Sequence, residues 1–336
     1  MKTKLKDKEG KIIADSLVEK TFIEIGGIKQ GFLIRTENPK NPVILFLHGG
    51  PGGPELPFII SHELPERLEK YFTVCYWDQR GAGMSFNSLI EPATMNVEQM
   101  VEDTHQITKY LQYRFEQNKL CLMGHSWGSY LGIKTIQKYP NNYLAFIGIG
   151  QVTNQLKSEK LAYDYMLQYA MEINDKSAVK NLKKFDKNSS DFPSLNYIIT
   201  TRTRLMNKYG IGMTRKNISI TGLIKNLFTF KEYTVSEKVN FLRGSLFSLK
   251  HLWGSVIADN LFESSTAFQI PVFIVQGKYD FQTSYVLAHE YFGIIKAPEK
   301  DFFEFENSAH SPNEEEMEKF VGITRNLILK IKENEW

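Results

Sequence analysis

The sequence predicts an α/β fold, a mostly parallel eight-stranded sheet flanked by helices and interrupted once by a helical insertion. Three observations predict it. Eight short apolar runs have strand length and end at Gly, Asp or Asn; helical periodicity lies between several of them; and the alternation stops from about residue 151 to residue 267. With 336 residues, 42% hydrophobic and 13% aromatic, the chain has the length for two domains, or for one with a large insertion.

The predicted strands are TFIEI (21–25), GFLIRT (31–36), PVILFLH (42–48), FTVCYWD (72–78), KLCLMG (119–124), YLAFIGIG (143–150), PVFIVQG (271–277) and DFFEFEN (301–307). The middle ones are almost continuously apolar, as strands covered on both faces are. A helix is predicted over 96–115, where Val97, Met100, Val101, Thr104, Ile107, Thr108 and Leu111 fall near one face. Another is predicted over 312–331, which opens on Pro312 and acidic residues before its apolar stripe. Residues 1–150 and 268–336 therefore read as one discontinuous core domain and 151–267 as a helical domain, with aromatic-striped stretches at 159–173, 223–233 and 241–253. The insertion carries a basic excess around 176–216, read as a solvated face, with attraction of anionic substrates as the sharper alternative.

Composition excludes several classes. A formal net charge of +3 gives no indication of a nucleic-acid partner. The basic N-terminus lacks the apolar stretch of a signal peptide, and no run is long enough to span a membrane, so the expectation is a cytoplasmic protein with no membrane partner. Cys75 and Cys121 each sit in an apolar run and read as buried free thiols. No metal signature is present, because HELPE at 62–66 fails the H-E-x-x-H spacing and the other histidines are scattered. No cofactor is expected; the glycine-rich LHGGPGG (47–53) lacks both the G-K-[ST] of a phosphate loop and the G-x-G-x-x-G of a dinucleotide site.

The chemistry centres on GHSWGS (124–129). A G-x-S-x-G match alone occurs by chance in roughly one chain in ten of this length. Context makes the difference: strand composition precedes Ser126 and helix composition follows it, the setting of a nucleophile elbow. A serine hydroxyl needs a base, and the base needs an acid to orient it. Among the histidines after Ser126, His310 follows a strand in a loop of small residues, whereas His251 lies in the insertion and His289 within a predicted helix. Asp280, in GKYD, follows another strand; a helix N-cap is its structural alternative. Trp127 N–H, at a helix N-terminus, and Gly50 N–H, with Gly49 as the near alternative, are the expected oxyanion donors. Asp78 and Arg80 in DQRGAG read as a turn held by local hydrogen bonds and an ion pair, with shaping of the pocket floor as the functional alternative.

HGGPGG (48–53), WDQRGAGMS (77–85), GHSWGS (124–129), GKYD (277–280) and SAHS (308–311) resemble, in order and spacing, the motifs of the α/β-hydrolase fold. The first two resemble its proline iminopeptidase branch. The resemblance covers about 1–150 and 268–336; it implies Ser126 as nucleophile, Asp280 as acid, His310 as base and the insertion as a helical cap. It also implies a sheet in which the strand ending at His48 separates those of Cys75 and Cys121, out of bridging range. Epoxide hydrolases and haloalkane dehalogenases, with aspartate at the elbow, fit less well. The implied activity is release of an N-terminal residue, often proline, from peptides or amino-acid amides. The alternatives are hydrolysis of small esters or other amides, and a non-catalytic binding protein on the same scaffold. Members of the branch hold the substrate amine with cap carboxylates, often near tryptophans. Here Trp253 is the single cap tryptophan and Gly254 follows it, leaving Glu159, Glu172, Glu232, Glu237 and Glu263 as candidates.

Overall fold

The computed structural model describes residues 2–7, 9–59, 66–216 and 220–333; His62 and Glu63 of the HELPE stretch lie outside them. The strands are β1 (Lys2–Thr3), β2 (Leu17–Ile25), β3 (Ile28–Thr36), β4 (Val43–Leu47), β5 (Thr73–Trp77), β6 (Leu120–His125), β7 (Tyr143–Ile149), β8 (Val272–Gly277) and β9 (Lys300–Phe305). They form one sheet in the order β1-β2-β3-β5-β4-β6-β7-β8-β9. The first three run antiparallel to their neighbours; from β5 to β9 every pairing is parallel. The sheet thus has one strand more than the eight expected. The extra strand is the two-residue β1, which pairs Lys2 and Thr3 with Glu19 and Val18 and is too short to leave an apolar pattern.

Alternation along the central strands supplies two apolar layers. On β4, Val43, Leu45 and Leu47 share a cluster with Ile107, Leu111 and Leu131, whereas Ile44 and Phe46 belong to the layer containing Phe320 and Ile328. All five β4 residues are buried. Each such side chain contributes about 1.5–3 kcal/mol by burial, which anchors the loop leaving β4 at His48. Cys75 and Cys121 are buried free thiols on β5 and β6, with β4 between them.

The helix Val97–Phe115 begins where Asn96 accepts the Gln99 N–H. The helix expected over 312–331 is broken into Pro312–Glu315 and Met317–Glu333. The break turns two carboxylates back onto the preceding loop. Glu315 accepts the Ala309 N–H at 2.7 Å, and Glu316 accepts the Ser308 hydroxyl at 2.6 Å.

Between β7 and β8 the described chain is helical, with Gln155–Glu172, Thr203–Tyr209, Ile220–Thr229 and Val235–Ala258 among its helices. This segment has an apolar cluster of its own that includes Tyr163, Met166, Tyr197 and Leu205. Hydrogen bonds tie it to loops at the C-terminal end of the sheet, among them Tyr233 Oη to Asp78 Oδ2 (2.6 Å), Ser245 Oγ to Gly52 O (2.6 Å), Ser248 Oγ to Gly81 O (2.9 Å) and His310 N to Gly212 O (3.2 Å). Among the described residues no helix is long and apolar enough to cross a membrane.

Candidate active site

Ser126 sits between β6 and the helix Trp127–Lys138, with φ 54° and ψ −122°. A non-glycine residue in this region is strained and persists only where its surroundings hold it. The restraint is visible. Ser126 N donates to Ile149 O at 2.8 Å, and Ser129 Oγ returns to Ser126 O at 2.6 Å. The flanking glycines are required sterically. A Cβ on Gly124 would lie 2.2 Å from Gly128 O, and one on Gly128 would lie 2.0 Å from Leu47 O. Trp127 is the first helical residue, so its N–H has no intrahelical acceptor.

The loops after β8 and β9 bring Asp280 and His310 together. Asp280 Oδ2 lies 2.8 Å from His310 Nδ1 and also accepts Thr283 Oγ1 at 2.8 Å and Gln276 Nε2 at 2.7 Å. Its other oxygen, Oδ1, accepts the N–H groups of Gln282 (2.8 Å) and Thr283 (3.0 Å). These last two bonds have the pattern of a cap, but they close a turn, because the helix Tyr285–Ile294 starts later and is capped by Ser284. One oxygen shapes the turn and the other faces the histidine. Burial opposes the carboxylate charge, but His310 and the Thr283 donors outweigh it and hold the Asp280 pKa below its ordinary value. Burial lowers the His310 pKa below 6.5; Asp280 opposes that shift, while His125 and Arg202 add to it. With Nδ1–H directed at the carboxylate, Nε2 is the unprotonated ring nitrogen.

Ser126 and Trp127 line a small cavity of about 90 Å³ together with Gly50, Pro51, Thr283 and residues of the insertion, including Trp253. Gly50 has φ +117°. Gly49 is otherwise engaged, since its N–H donates to Glu55 Oε1 at 2.6 Å.

A model of the family described as alpha/beta hydrolase fold matches residues 42–316. The chain belongs to the α/β-hydrolase family. A probable aminopeptidase of Bacillus subtilis, YbaC, is 34% identical to this hydrolase over 300 residues, covering 89% of this chain and 93% of its own. A proline iminopeptidase of Chitinophaga pinensis is 33% identical over 155 residues, 42% of this chain and 47% of that one. The crystal structure of the proline iminopeptidase of Mycobacterium smegmatis superposes with a TM-score of 0.68 at 15% identity, covering 95% of this chain and 100% of the other. The hydrolase thus falls in the proline iminopeptidase-like branch.

Several residues of this hydrolase's site were not singled out by sequence reasoning. Gln79 of DQRGAG bridges the two loops that flank the cavity: its Nε2 donates to His48 O at 2.9 Å, and its Oε1 accepts Trp127 Nε1 at 2.7 Å. His48 Nε2 accepts Gln79 N at 3.1 Å and Nδ1 donates to Gly49 O at 2.8 Å, and burial lowers its pKa to about 4. His125 pairs with Glu55 at 2.8 Å, behind the elbow. The x position of G-x-S-x-G admits many residues, so only an acid close after the HGGPGG loop signalled this pair. Arg80 does not reach the cavity; it binds Asp103 through two nitrogens, at 2.7 and 3.1 Å. Its partner is 23 residues away rather than within the turn.

The five insertion glutamates separate cleanly. Glu237 pairs with Lys20 at 2.5 Å, Glu263 binds Asn260 at 2.7 Å, Glu172 is exposed and accepts Gln168, and Glu232 lines a different cavity. Glu159 alone of the five reaches residues of the Ser126 cavity. It is fully buried, and both oxygens are occupied, by Gln155 Nε2 (2.8 Å) and Arg202 Nε (2.6 Å). Among the described residues no cluster of three or more His, Cys, Asp or Glu could hold a metal.

Proposed function

We propose that this hydrolase is a cofactor-independent serine enzyme that releases the N-terminal residue of short peptides or amino-acid amides through an acyl-enzyme. The observation that carries the reading is the 2.8 Å Asp280–His310 pair, set beside the strained Ser126 elbow at one end of the sheet. Asp280 holds the imidazole with its Nδ1 proton inward and leaves Nε2 to remove the Ser126 proton as Oγ attacks the carbonyl. The N–H groups of Gly50 and Trp127 receive the oxyanion, the latter with the favourable field of a helix N-terminus. The imidazolium then protonates the leaving amine, and water releases the acyl group by the same steps. The helical insertion acts as the cap that shapes the pocket, and 90 Å³ beside Val152, Ile198, Leu249 and Val256 suits one small apolar acyl residue.

The aminopeptidase reading is supported by the similarity to a probable aminopeptidase over most of both chains. A second reading, hydrolysis of small neutral esters or amides, is favoured by Glu159. A cationic amine is best held by an unpaired carboxylate, and Arg202 already neutralises this one. The cavity does offer neutral contacts, because Gln155 Oε1 and Trp253 Nε1 are buried without a partner. Gln155 directs its Nε2 at two acceptors, Glu159 Oε1 and Gln282 O, which fixes its Oε1 as the free acceptor. Prolyl and alanyl arylamides, free and N-acetylated, assayed beside short acyl nitrophenyl esters, separate the readings. Turnover of free but not acetylated arylamides is the expected result; ester turnover alone overturns the peptidase reading in favour of the second.

A further inference from the structure

His125 stands one residue before the elbow serine, and the chemistry above does not use it. Its ring is buried, with Nδ1 2.8 Å from Glu55 Oε1 and Nε2 2.9 Å from the backbone oxygen of His310. A carbonyl oxygen only accepts, so Nε2 carries a proton. A carboxylate facing Nδ1 calls for a second one, and the Gly49 N–H, donating to Glu55 Oε1 at 2.6 Å, favours the ionised carboxylate there. A ring protonated on both nitrogens is an imidazolium. We infer that His125 is a fixed cation, paired with Glu55, which positions His310 and keeps that ring neutral; the inference rests on His310 being the base.

The His125 and His310 rings lie 4.8 Å apart, tilted by 39°. A cation at this range opposes a positive charge on His310. One ion pair also touches three loops at once: the Gly49 loop through Glu55, the elbow through His125 itself, and the acid–base loop through the His310 carbonyl. The surrounding charges agree with this assignment. Burial opposes protonation of His125, but Glu55 outweighs it and raises its pKa to about 9. Glu55 is correspondingly held below its ordinary value, and half-buried Glu314 is raised to about 7 by burial and by Glu55. His48, on the Gly49 side, is neutral near pH 7. Asp280 and Arg202 act on His310 from its other sides. The competing arrangement places the second proton on Glu55 and leaves His125 neutral.

Nitrogen-15 NMR of the histidine side chains in the unaltered protein at pH 7 to 8 distinguishes the two. Two protonated nitrogens on His125 are expected; one bare nitrogen overturns the inference. Kinetics supply a readout that packing alone would not move. In Glu55→Gln/His125→Gln, the acid limb of kcat/KM should rise by roughly one pH unit, because the near cation and the farther anion leave together. A limb in its original place, with kcat lowered equally at every pH, overturns the charge role. Where the double variant folds poorly, the spectrum of the unaltered protein still decides. Ser126→Ala should abolish turnover and leave the His125 spectrum unchanged, so turnover surviving in that variant overturns the serine mechanism alone.

Discussion

Two buried histidine–carboxylate pairs lie side by side behind one cavity, each at 2.8 Å, and they do opposite things. His310 is held below the ordinary histidine pKa, whereas His125 is raised to about 9. Distance to the partner cannot be the cause. What differs is the other side of each ring. His125 meets a second acceptor, the carbonyl of His310, so both its nitrogens favour protons. The His310 ring meets Asp280 on one side only, and its other charged neighbours are His125 and Arg202, both cations. A carboxylate orients a histidine; the rest of the shell decides whether the ring keeps a charge.

The comparison can be broken by unequal damage. Asp280→Asn should lower kcat/KM about 10⁴-fold, because the amide stabilises the wrong tautomer of His310, while Glu55→Gln/His125→Gln should cost at most about tenfold, and only on the acid side of the profile. Equal losses, measured by steady-state kinetics on one arylamide or ester, would abolish the distinction between the pairs.

Stability sharpens it next. A histidine whose pKa is raised on folding stabilises the native state fully below its unfolded value of about 6.5 and loses that contribution as pH climbs through about 9. Urea unfolding of the unaltered protein should therefore show a loss of about 2 kcal/mol between pH 7 and pH 9 that is missing from Glu55→Gln/His125→Gln. His48 has the opposite sign, being lowered to about 4, and its contribution is lost on acidification instead. A flat profile above pH 7 would contradict the raised His125.

The smallest effect expected is on the position of the acid limb. Because His310 must be neutral to accept the serine proton and its pKa is lowered, the acid limb of kcat/KM for the unaltered enzyme should fall below pH 6.5. A limb above that value would show His310 to be stabilised as a cation, erasing its contrast with His125.

The eight longer strands were legible in the sequence because all are short runs rich in apolar residues bounded by turn residues, the middle ones nearly continuous in apolar character. The α/β-hydrolase family was legible because its motifs are anchored at those ends, and Asp280 and His310 meet where two of the strands finish. What stayed hidden depended on long-range partners. Glu55 and His125 are 70 residues apart, and Arg80 and Asp103 are 23 apart, so no local pattern shows that either pair meets. The break at Glu316 was likewise invisible, since its acidic run satisfies a helix start while Glu315 and Glu316 are drawn back onto residues 307–309 by hydrogen bonds. Glu159 shows the same limit at the pocket: composition offered five glutamates, and only the fold reveals that the one near Ser126 is already paired.

In the proposed reaction Ser126 Oγ is the attacking atom. Incubation with a fluorophosphonate that traps activated serines, followed by peptide mass spectrometry, tests this directly. The prediction is a single adduct on the peptide containing Ser126, formed in step with loss of turnover and absent from Ser126→Ala, which is itself inactive. Turnover persisting in Ser126→Ala, or inactivation with the adduct on another residue, would contradict it.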